Sequence, residues 1–110
     1  MKNNFKQAES GIAKSKEEAL NISKDENLIM IQESIEEIIN KNKEPIFDAE
    51  HFFDGFKSKK QYALECIKCA NASGARWVVL CDTNGGTLPY EIETIVKETS
   101  LYIPLSLIHI

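Results

Sequence analysis

The chain has 110 residues, 43% hydrophobic, 27% charged and 8% aromatic, and its 13 basic and 17 acidic side chains leave a net charge of −4. That is the composition of one ordinary folded domain or of a piece of a larger one. With a pI near 5.2 and only the short basic run Lys57, Lys59, Lys60, it lacks the clustered cations that a nucleic-acid backbone needs. No stretch reaches the roughly 18 to 20 apolar residues of a membrane span, and Met1-Lys2-Asn3-Asn4 does not open a signal peptide. A cytoplasmic protein with neither nucleic-acid nor membrane partner is expected.

In chain order, the first periodic segment runs from Asp25 to Asn42. Leu28, Ile31, Ile35, Ile38 and Ile39 fall on one stripe of a 3.6-residue helix, with Glu33, Glu36 and Glu37 off it. Pro45 ends that pattern, because it cannot continue a helix and restricts the residue before it. Ile46 to Glu50 then reads as a short strand. After His51-Phe52-Phe53, Asp54-Gly55 predicts a turn. Lys60 to Ser73 places Tyr62, Ala63, Cys66, Ile67 and Ala70 at helical spacing. Gly74 follows as a left-handed helix end. Trp77-Val78-Val79-Leu80-Cys81 has the unbroken apolar run of a strand buried on both faces. A third helix is expected from Pro89 to Ser100, capped by Thr87, with Ile92, Ile95 and Val96 facing inward.

Cys66, Cys69 and Cys81 are an odd count with no export signal, which favours reduced thiols. Cys66-Ile67-Lys68-Cys69 has redox or zinc spacing, but no second pair accompanies it and a structural zinc wants four ligands. Two small residues on a helix are the simpler reading, and no metal ligand is assigned.

Helix, strand, helix, strand, helix with short joints is an α/β pattern of parallel β/α units. Two strands do not complete such a sheet, and a closed barrel needs about 200 to 250 residues. The chain therefore reads as the middle of a larger enzyme. In these architectures polar residues gather at the carboxyl ends of the strands. Here those ends carry Asp48 and Glu50 on one strand and Asp82 and Thr83 on the other. Asp48 and Glu50 share a face if the strand stays regular through Glu50. Carboxylates at strand ends serve a cap, an ion pair or function, since burying them unpaired is costly. Glu50 reads best as functional, whereas Asp48 reads equally well as the partner of a Lys or Arg. Asp82-Thr83-Asn84-Gly85-Gly86-Thr87-Leu88-Pro89 allows close backbone approach to an anion at a helix start, or is only a tight turn. His51, beside two phenylalanines, reads as packed or hydrogen-bonded rather than as a ligand.

At the two strand ends the residues become specific. Ile46-Phe47-Asp48-Ala49-Glu50-His51-Phe52-Phe53-Asp54-Gly55-Phe56-Lys57 and Val78-Val79-Leu80-Cys81-Asp82-Thr83-Asn84-Gly85-Gly86-Thr87-Leu88-Pro89 closely resemble the citramalate synthases. These belong with isopropylmalate synthase, homocitrate synthase and hydroxymethylglutaryl-CoA lyase. The likeness spans Ala19 to Pro104, including Leu20-Asn21-Ile22 and Glu26-Asn27-Leu28. It implies a partial TIM (β/α)8 barrel, about strands 5 and 6 with flanking helices. It also implies a cytoplasmic acyltransferase, homo-oligomeric in its full-length form, that condenses acetyl-CoA with pyruvate in branched-chain amino-acid biosynthesis. By position, Glu50 matches the family's strand-end acid/base glutamate and Thr83 its carboxylate-binding threonine. The resemblance also implies that Asp48 lines the same substrate pocket and that Asp82 orients the loop. The resemblance further implies a divalent metal in the full-length parent. Its ligands are an Asp beside a catalytic Arg, a His-x-His and a later Asn, none of which is in this chain, so the fragment alone is expected to be inactive.

Residues 1–18 do not resemble the family and are expected to be a divergent or misread segment, and 19–104 a fragment of the barrel. Leu105-Ser106-Leu107-Ile108-His109-Ile110 matches the translation of the sequencing adapter CTGTCTCTTATACACATC and is expected to be that artefact, which gives His109 no functional meaning; the alternative is a genuine apolar strand. Two alternatives stand beside the leading one. One is a sister activity such as isopropylmalate synthesis or a lyase. The other is a non-catalytic module whose Leu28 to Ile39 helix fills a partner's groove.

Overall fold

A computed structural model describes residues 23–104 and 108–110. The segment 1–18 and Leu20-Asn21-Ile22 lie outside the described residues.

Helix α1, Lys24–Asn40, begins where Ser23 Oγ accepts the Glu26 N–H at 3.1 Å. Asp25 and Glu26 lie in its first turn, where backbone N–H groups favour negative charge. Its stripe buries Ile31 and Ile35 completely, while Leu28 and Met30 pack against the same core. Ile39 is 42% exposed, so the last turn leaves the core. Because that stripe is covered within the chain, it is not the open face that a partner groove would require.

Strand β1, Ile46–Ala49, runs parallel to β2, Trp77–Leu80, with Phe47 opposite Val78 and Ala49 opposite Leu80. Strand β3, Ile108–His109, pairs parallel with β2 on its other side, giving the order β1-β2-β3. Side chains alternate across a sheet, and the burial follows. Phe47, Ala49, Val78 and Leu80 are buried in one cluster with residues of every helix. Ile46 is exposed, and Asp48, Trp77 and Val79 are half-buried. The helices thus cover one face of the sheet, and the expectation that the Trp77 to Cys81 run is buried on both faces is corrected to burial on one. Hydrophobicity alone marks a residue as suited to burial and does not supply the layer that covers it.

Between the strands lie α2, Phe52–Ser58, and α3, Lys60–Ser73. Asp54-Gly55 is therefore no turn but part of a helix. Phe52, Phe53 and Phe56 are buried there, with ring centroids 5.7 Å apart for the first two and 5.9 Å for Phe52 and Phe56. Burying three aromatic rings, at about 2 kcal/mol each, outweighs a local turn preference. The chain reverses instead at His51, which is left-handed at φ 59°. Helix α3 ends as expected on Gly74 at φ 107°. Helix α4, Pro89–Thr99, buries Ile95, with Ile92 and Val96 packed against the core.

Candidate active site

The two strand-end segments meet because β1 and β2 are adjacent and parallel, which sets both carboxyl ends on the same edge of the sheet. Their contact continues past the ladder: Cys81 N–H donates to Ala49 O at 3.2 Å, and Phe52 N–H donates to Cys81 O at 3.1 Å. Strand β1 stops at Ala49, one residue earlier than expected. The Glu50 N–H folds back to donate to Asp48 O at 3.0 Å, so strand alternation does not place Asp48 and Glu50 on one face. Asp48 stays in the strand opposite Val79, half-buried on the face that the helices leave uncovered. Glu50 is half-buried in the turn, and among the described residues nothing donates to its carboxylate.

Asp82 uses both carboxylate oxygens. Oδ1 accepts the Thr87 hydroxyl at 2.7 Å and Oδ2 the Thr87 N–H at 3.2 Å, while its carbonyl accepts the Gly85 N–H at 3.0 Å. The glycine pair is drawn into a closed loop, with Gly85 at φ 67°, a conformation that glycine takes without steric cost. Thr87 is therefore occupied by Asp82, and the expectation that it caps α4 is corrected. Leu88 stands at that position, and Glu91 Oε1 accepts its N–H at 3.0 Å. That hydrogen bond, and then Lys57 Nζ at 3.2 Å, holds the Glu91 carboxyl below its ordinary pKa.

Thr83 is exposed, and its Oγ1 accepts the His51 N–H at 2.9 Å. A threonine hydroxyl has one hydrogen and two lone pairs, so this bond leaves the hydrogen able to donate outward. Asp54 and Asn84, to which the sequence assigned no site role, are joined by a 2.7 Å bond from Asn84 Nδ2 to Asp54 Oδ2. They lie 30 residues apart, and no local spacing pairs them. Chemically, this edge of the sheet brings together the carboxylates of Asp48, Glu50, Asp54 and Asp82 and the hydroxyl donor of Thr83.

Among the described residues no three His, Cys, Asp or Glu side chains gather as a metal site. The divalent metal implied by resemblance does not fit the residues present. Cys66 and Cys69 are free thiols on α3, Cys66 in the core and Cys69 directed to Leu28 O at 3.4 Å. Both thus act in packing. Among the described residues no helix is long and apolar enough to cross a membrane.

Parallel strands with helices on one face and polar loops at their carboxyl ends define an α/β segment. The chain is related to the (R)-citramalate synthases. It is 56% identical over 81 residues to that of Aquifex aeolicus, which is 74% of this chain and 15% of the relative. With that of Geobacter sulfurreducens it is 46% identical over 86 residues, 78% of this chain and 16% of the relative. With that of Sulfolobus acidocaldarius the identity is 40% over 90 residues, 82% of this chain and 17% of the relative. The chain therefore spans about a sixth of the length of these relatives. No family profile and no solved structure matches it.

Proposed function

We propose that this chain is a segment of a citramalate-synthase-type acyltransferase, supplying about the fifth and sixth strands of a TIM barrel. The kinship with citramalate synthases supports the reaction, and the one-sided sheet supports the barrel. In a closed barrel the helices cover the outer face and strand side chains fill the inner one, and here Asp48 and Val79 lie on the face without helices. The reaction joins acetyl-CoA to pyruvate. The acetyl methyl group loses a proton, its carbon forms a bond to the keto carbon, and the keto oxygen takes a proton to become the alcohol. Water then cleaves the thioester to release citramalate and CoA.

Within that reaction Glu50 holds or moves a proton beside the acetyl group or the keto acid, as its carboxylate has no donor among the described residues to occupy it. Thr83 Oγ donates to the substrate carboxylate, Asp48 lines the pocket, and Asp82 sets the loop through Thr87. The divalent metal belongs to residues outside this segment. The barrel segment is 19–104, with 105–110 as the adapter translation, and the full-length enzyme is a cytoplasmic homo-oligomer.

The observation that carries this reading is the bond from His51 N–H to Thr83 Oγ1, which joins the turn that bears Glu50 to the loop that bears Thr83 at one edge of two paired parallel strands. Its test is Glu50→Gln in the full-length protein. Turnover, followed as free CoA, should fall by about two to four orders of magnitude, with the thermal midpoint nearly unchanged. Turnover equal to wild type would remove Glu50 from the chemistry.

A further inference from the structure

Two contacts between the turn after β1 and the loop after β2 are explained neither by strand pairing nor by the core. The first is the His51 N–H to Thr83 Oγ1 bond, made from a left-handed residue at φ 59°, ψ 27°. That conformation costs a non-glycine residue about 1 kcal/mol or more, so it persists only while its surroundings hold it. The Gly55 N–H to His51 O bond, 2.9 Å, fixes one side of His51. The second contact is Asn84 Nδ2 to Asp54 Oδ2, 2.7 Å, between exposed side chains on α2 and on the loop. Because neither group is buried, packing does not force this bond, and its geometry depends on the two side chains themselves.

We propose that Asp54 and Asn84 are positioning residues whose bond docks the 82–87 loop on α2, so that the Thr83 hydroxyl stays on the His51 N–H with its hydrogen directed to the substrate carboxylate. Asp54 acts through Asn84, the residue next to Thr83, and touches no substrate. Without the clasp the loop must be ordered when substrate arrives, and that ordering is subtracted from binding. Since the keto acid and the transition state share the same carboxylate, the loss falls on uniform binding, hence on KM rather than kcat. This inference rests on the reading of Thr83 as the carboxylate donor.

The experiment uses the full-length protein with Asp54→Ala, Asn84→Ala, the double variant, Asp54→Asn and Thr83→Val. Asp54→Ala and Asn84→Ala should each raise KM for the keto acid about three- to tenfold with kcat nearly unchanged, as loss of one net hydrogen bond implies. The double variant should be no worse than either single one. Hydrogen exchange of the His51 amide should quicken in both alanine variants. Asp54→Asn, whose amide oxygen still accepts from Asn84, should restore both readouts. An unchanged His51 exchange rate in Asp54→Ala overturns the clasp. So does an unchanged KM where Thr83→Val raises it. An unchanged KM in Thr83→Val overturns the reading of Thr83 itself, and is told apart because the exchange readout of the clasp does not depend on it.

Discussion

Cys66 shows how far one side chain's surroundings change its chemistry. Burial pushes its thiol up from an ordinary value near 9 to about 12, against the opposing bond from Tyr62. Asn27 Nδ2, which donates to Tyr62 Oη at 2.8 Å, also lies 4.0 Å from the sulfur. At pH 8 only about one part in ten thousand is then the reactive thiolate. Alkylation of the folded chain at pH 8, read by mass spectrometry, should modify Cys66 far more slowly than Cys69 or Cys81, and equal rates would contradict the buried, protonated thiol. The sign of the pH dependence follows. The folded state holds this proton more tightly than the unfolded chain, so the contribution is intact below about pH 9 and is lost as pH rises toward 12. The Cys66-x-x-Cys69 spacing is visible in the sequence, but whether it meant chemistry or packing depended on burial, which comes from α1 lying across α3.

At the scale of elements, the joint between α1 and α3 turns on Gly74. Its φ of 107° disfavours any L side chain, and a Cβ there would lie 2.8 Å from Ile39 Cδ1. Gly74→Ala should therefore cost about 1 to 2 kcal/mol in a urea titration. Because the obstructing atom ends a flexible side chain that can swing aside, Ile39→Ala in the same background should recover only a small part of that cost. No recovery would assign the whole cost to the backbone. Helix α3 and its glycine stop were legible in the sequence, since a 3.6-residue apolar repeat and a left-handed terminator are local signals. Helix α2 was not. Asp54-Gly55 has local turn chemistry, and only the core contacts of Phe52, Phe53 and Phe56 hold it helical. The same holds for Thr87, a good cap by type, which the carboxylate of Asp82 claims first.

Over the whole molecule, apolar surface remains uncovered. Leu101 is 77% exposed, Tyr90 67%, Leu88 51% and Ile46 44%, the first three in and beside α4 and the last on the sheet face without helices. Such surface favours association. In sedimentation velocity the isolated chain should therefore run as oligomers or aggregates at micromolar concentration, whereas a monodisperse folded monomer would show that these side chains need no cover.

The sequence by itself determined the alternation of helices and strands from Asp25 to Ser100 and the kinship carried by its two strand-end motifs, because apolar periodicity, helix stops and motif identity are all written within a few consecutive residues. Only the tertiary structure decided that the sheet is covered on one face, that β1 yields to a turn at Glu50, and that His51 reaches Thr83 and Asp54 reaches Asn84. Those contacts join residues about 30 positions apart, and their partners are chosen by how parallel strands and the helix between them pack, a choice that no local spacing encodes.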